Sequence, residues 1–68
     1  MISESKLKEL TLSLDIGIAN DLIEGLQNMK TRYTYVDEFS KAVDGLISLL
    51  LDRIARIEEE IRGLQAND

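Results

Sequence analysis

Apolar positions follow three rhythms along this chain. Between Lys8 and Asp15 the rhythm is two: Leu10, Leu12 and Leu14 alternate with Glu9, Thr11 and Ser13. A period of two puts the leucines on one face of a β-strand and the polar residues on the other, so the pattern predicts a strand. No second stretch alternates in this way, and a lone strand leaves its backbone N–H and C=O groups unpaired. Pairing with its own copy across a two-fold axis is the simplest remedy, which predicts a homodimer built on one shared ribbon.

After Asp15, a suitable helix cap, the rhythm lengthens. Ile18, Leu22, Leu26 and Met29 recur at spacings of four, four and three, the mark of an amphipathic helix. Gly17 and Gly25 each weaken it by about 1 kcal/mol relative to alanine, so packing must hold it. The pattern breaks over Lys30–Tyr33. Thr34-Tyr35-Val36-Asp37 then resembles a capping box, and Val36, Phe39, Val43, Leu46, Ile47 and Leu50 predict the buried side of a second helix.

The third rhythm continues that helix. Ile47, Leu50, Ile54, Ile57, Ile61 and Leu64 alternate spacings of three and four, a heptad seam, with Arg53 and Glu58 at its flanks. Leu50, Ile54, Ile57, Ile61 and Leu64 are the candidate oligomerisation residues, joining dimers into tetramers. The same spacing also serves an antiparallel helix hairpin or packing onto the domain's own core. The expected organisation is a flexible N-terminal arm (1–7), a domain over 8–51, and a helical extension with the seam over 52–68.

Composition narrows the chemistry. Sixty-eight residues make one small domain, near the limit of independent stability. The absence of cysteine and histidine removes disulfides, thiolate and imidazole metal sites, and the usual general base. Neither an enzyme nor a cofactor is expected. Glu58, Glu59 and Glu60 are consecutive, about 100° apart on a helix, and cannot converge on one ion. Without a signal segment or a long apolar run, the expected location is cytoplasmic, with no membrane partner. The net charge is −5, the wrong sign for non-specific nucleic-acid binding.

The order strand, helix, short loop, capped helix resembles the ribbon-helix-helix DNA-binding family, the class of the MetJ and Arc repressors. The likeness covers residues 8–51. Around the second helix the family often reads Ser-x-Ser-Glu, then an apolar residue and Ala-Leu. Here Thr34 falls on the first Ser, Asp37 on the Glu, Phe39 on the apolar position and Ala42-Val43 on the pair. The resemblance implies a mostly α ribbon-helix-helix dimer that regulates transcription by laying its ribbon in the major groove. Glu9, Thr11 and Ser13 would contact bases. Lys6, Lys8, Lys30 and Arg32 would contact phosphates, as would the helix start at Thr34, Tyr35 and Val36. Leu10, Leu12, Leu14, Leu22, Phe39, Val43, Leu46 and Ile47 would form the dimer core. The ribbon lacks the Arg, Lys, Asn or Gln that make bidentate base contacts. A second expectation is therefore a protein-interaction or oligomerisation module, or an antitoxin, with a protein partner at the C-terminal helix.

Overall fold

The computed structural model describes residues 2–66, and these form two long helices joined by a tight turn. Helix α1 spans Glu4–Arg32 and α2 spans Asp37–Ala66. No strand exists among the described residues. The predicted ribbon is therefore corrected: Lys8–Asp15 is the second and third turns of α1. The ribbon-helix-helix architecture does not form.

The reason lies in what the alternation also satisfies. Leu10 and Leu14 are four apart and share one helix face, while Leu12 begins a second series with Ile16 and Ala19. Leucine, lysine and glutamate are strong helix formers, and this segment has no β-branched run to oppose them. Thr11, its one β-branched residue, donates its hydroxyl to the Leu7 carbonyl at 3.0 Å, a back-bond within the helix. The cap is Ser3 rather than Asp15. Its Oγ accepts from the Lys6 N–H at 3.2 Å, with Glu4 in the first turn and Lys30 and Arg32 in the last to complement the dipole.

Tyr33 closes α1, donating its N–H to the Met29 carbonyl at 3.1 Å. The chain reverses through Tyr33–Val36 with no positive φ at any residue. Val36, not Thr34, holds the cap position of α2, since its carbonyl accepts the Ser40 N–H at 3.0 Å. Valine has no side-chain acceptor, so Asp37 and Glu38 in the first turn supply the compensation for the orphan N–H groups. The Tyr33 ring meets Phe39 edge-on at 5.5 Å and Tyr35 at 6.4 Å, an aromatic knot that ties the loop end.

The two helices pack antiparallel through matching seams. On α1, Glu9, Leu12, Ile16, Ala19, Ile23, Leu26 and Lys30 follow a four-three repeat and are buried or half-buried. On α2 the complementary positions are Ser40, Val43, Ile47, Leu50, Ile54, Ile57, Ile61 and Leu64. Two polar bonds fix the register. Lys30 Nζ lies 2.6 Å from Asp44 Oδ1 near the loop, and Gln65 Nε2 donates to Glu9 Oε1 at 3.0 Å near the open end. Going from 30 back to 9 on α1 matches going from 44 forward to 65 on α2, so the pairing holds without slip.

The core is thin. Among the described residues, only Ala19, Val43, Ile54 and Ile57 are buried, and no large side chain is fully enclosed. The molecule measures 52 × 19 × 10 Å over its Cα atoms, one helix thick. Its radius of gyration is 15.7 Å, against about 11 Å for a compact domain of this length.

Candidate interaction surface

A hairpin one layer thick has two broad sides, and the sequence treats them differently. At 100° per residue, Leu7, Leu14, Ile18, Leu22 and Met29 lie on one flank of the α1 seam, and Lys6, Ser13, Asn20 and Gln27 on the other. On α2, Leu46, Leu49, Arg53 and Glu60 occupy one flank, and Lys41, Ser48, Leu51, Ala55 and Arg62 the other, where Leu51 is the exposed apolar exception. Antiparallel packing brings the two apolar flanks to the same side. Shallow grooves confirm this: one is lined by Ile18, Leu22, Leu50 and Arg53, another by Leu7, Thr11 and Leu64. A third, along α2, is lined by Leu49, Arg53, Ile57 and Glu60.

This side is apolar and open. Leu14 is 69% exposed, Leu49 67% and Ile18 60%, and Leu7, Leu22, Met29 and Leu46 are exposed with them. Scattered surface leucines need no explanation, but apolar residues aligned on one face over about 33 Å of α1, with Leu46 and Leu49 of α2 beside the half nearer the loop, do. Charge sits at its margins, in Glu4 and Lys8 near the open end and in Asp15, Arg53 and Glu60 along the groove rims.

The sequence-predicted base readers do not converge. Glu9 is half-buried in the seam, bonded to Gln65 and 3.9 Å from Lys6 Nζ. Thr11 lies in the apolar-side groove, and Ser13 is on the opposite side. The basic residues expected at phosphates are dispersed. Lys6 and Lys8 stand near the open end, and Lys30 and Arg32 near the loop, separated by about 36 Å of helix. Lys30 is already paired with Asp44. Thr34 and Tyr35 belong to the turn, and Val36 to the cap.

The residues assigned to a dimer core divide. Val43 is buried and Leu12, Phe39 and Ile47 half-buried, all within one chain. Leu14, Leu22 and Leu46 belong to the exposed stripe, and Leu10 is exposed on the back of α1. The residues assigned to oligomerisation are used internally: Ile54 and Ile57 are buried and Leu50, Ile61 and Leu64 half-buried, the partner of their seam being α1. Sequence reading passed over Ile16, Ala19 and Ile23, although their four-three spacing from Leu12 carries the signal. It also passed over Leu49, whose place on the stripe depends on how the hairpin is closed.

Among the described residues, no three metal-ligating side chains gather and no helix is long and apolar enough to cross a membrane. Compared with protein-family models, with curated proteins and with solved structures, the chain has no match.

Proposed function

We propose that this chain is a protein-interaction module, a helical hairpin that associates through its apolar side. The observation that carries the reading is the stripe itself. Leu14, Ile18, Leu22, Leu46 and Leu49 are exposed together on one side of a hairpin whose buried core, among the described residues, is Ala19, Val43, Ile54 and Ile57. Helices and sheets are stable when an apolar face is covered by another layer, and here one layer is missing. The surface area supports the same view. The chain exposes 5447 Å², against about 4,300 Å² for a folded protein of 7.7 kDa.

Sedimentation equilibrium of the full chain tests the reading. The expected mass is a multiple of 7.7 kDa, with Ile18→Glu weakening association more than tenfold and Ser13→Glu on the polar side leaving it intact. A monomer at every concentration would overturn it, as would equal behaviour of the two variants.

A further inference from the structure

The exposed stripe of α1 reads the same in both directions. Outward from Ile18, Leu14 and Leu22 stand four residues away, Thr11 and Gly25 seven, and Leu7 and Met29 eleven. A two-fold axis beside Ile18, perpendicular to the helix, would therefore set Leu14 against Leu22 of a second copy. It would set Leu7 against Met29 and Thr11 against Gly25, and each of these contacts would occur twice. Fourteen residues out, the same operation brings Glu4 to Arg32, opposite charges at the ends of the interface. Large faces small at one level and apolar faces apolar at the others, the self-complementarity an isologous contact needs.

Helix α2 gives the same axis independently. Its exposed side carries Leu49, Arg53 and Glu60 along one groove. Arg53 and Glu60 are centred between residues 56 and 57. By the register that Lys30–Asp44 and Glu9–Gln65 establish, residue 56 of α2 lies at the level of Ile18. One axis therefore joins Arg53 to Glu60 across copies while centring the α1 stripe.

We propose that the partner of the apolar side is a second copy of this chain, packed antiparallel about a two-fold axis beside Ile18 to close a four-helix bundle with its loops at opposite ends. The inference rests on the self-association reading above and adds the axis and the orientation of the two copies. The opposite arrangement, with both loops at one end, stacks α1 on the partner's α2 at equal levels. It lays Arg53 on Leu22 and Glu60 on Leu14, burying two charges per chain against leucine, a costly juxtaposition. In the antiparallel arrangement the two copies of Arg56 approach each other on the outer rim at the level of the axis, within a turn of Arg53 and Glu60.

The chain has no cysteine, so single-cysteine variants report the arrangement directly. With a short bis-maleimide linker, Ile18→Cys is expected to give a covalent dimer. Leu7→Cys alone and Met29→Cys alone are expected not to, their own mates lying about 33 Å apart along the helix. An equimolar mixture of those two is expected to cross-link. Charge reversal gives a second readout: Arg53→Glu and Glu60→Arg should each weaken the dimer about tenfold, and the double swap should restore it. A dimer in which Leu7→Cys or Met29→Cys links to itself, or in which neither Ile18→Cys nor the mixture links, overturns the antiparallel arrangement while leaving the interaction module standing. A chain that sediments as a monomer overturns both.

Discussion

Gln65 and Glu9 clasp the open end of the hairpin, with the Gln65 side-chain amide donating to the Glu9 carboxylate at 3.0 Å across 56 residues of sequence. Glu9 occupies a seam position, its side chain only 16% exposed, and Lys6 stands 3.9 Å from its other oxygen. A net contribution of about 1 kcal/mol is typical of such a bond. Gln65→Ala should therefore speed amide hydrogen exchange in the first turns of α1 and the last of α2. Exchange around Lys30 and Asp44 should not change. Uniform acceleration along both helices would show that the clasp has no local role.

The small buried core makes each member count. Ala19 is 4% exposed and Ile54 8%, at neighbouring levels of the two seams. Ile54→Ala is expected to cost about 2–4 kcal/mol as a large-to-small change, and Ala19→Leu about 1–3 kcal/mol through overpacking. Chemical denaturation of both variants checks the pair.

The glycines separate helix propensity from association. A Cβ at any of the four would meet no atom within 4 Å in the single chain. Gly45 and Gly63 lie on the back of α2, so alanine at either should stabilise by about 1 kcal/mol, or roughly 4–8 °C in Tm for a domain of this size. Gly25 lies within the apolar stripe. Gly25→Ala should raise the helicity of the chain but weaken the dimer, since the added methyl lands where Thr11 of the second copy packs. Circular dichroism and sedimentation measure the two effects separately.

Thermal unfolding should depend on protein concentration. If the apolar side is covered by a second copy, the folded state gains stability by mass action, and Tm rises with each tenfold increase in concentration. Ile18→Glu should abolish the dependence and lower Tm at the highest concentrations. A constant Tm in the parent chain would contradict association as a source of its stability.

Sequence reading reached some of this and missed the rest for physical reasons. The seam from Ile47 to Leu64 was legible because six apolar residues sustain a three-four repeat unbroken by polar ones, and α2 uses it as a helix seam. What pattern alone left open was whether its partner was another chain or the preceding helix. The first helix was misread because Leu10, Leu12 and Leu14 serve two helix faces at once, which over five residues imitates strand alternation. Glu9 and Lys30 also blurred the α1 seam by placing charge at its ends, each answered by a partner more than a dozen residues away. Ile18, Leu22 and Met29 were legible as an apolar helix face and expected in the core; that they stay exposed follows from the turn at Tyr33–Val36, which turns the Leu12–Ile23 face toward α2 instead. The DNA-reading residues were tied to the ribbon, and their grouping dissolved with it: Glu9 faces α2, Thr11 the apolar side and Ser13 the polar side.

The constant register between the helices also sets an order of assembly. Cross-helix partners lie 14 residues apart at Lys30–Asp44 and 56 apart at Glu9–Gln65. Closing the longer loop directly costs about 1.2 kcal/mol more in chain entropy, two doublings of length. The hairpin is therefore expected to zip from the aromatic knot of Tyr33 and Phe39 toward its termini, each turn shortening the loop left for the next. In stopped-flow measurements Phe39→Ala should slow folding, whereas Gln65→Ala should mainly hasten unfolding.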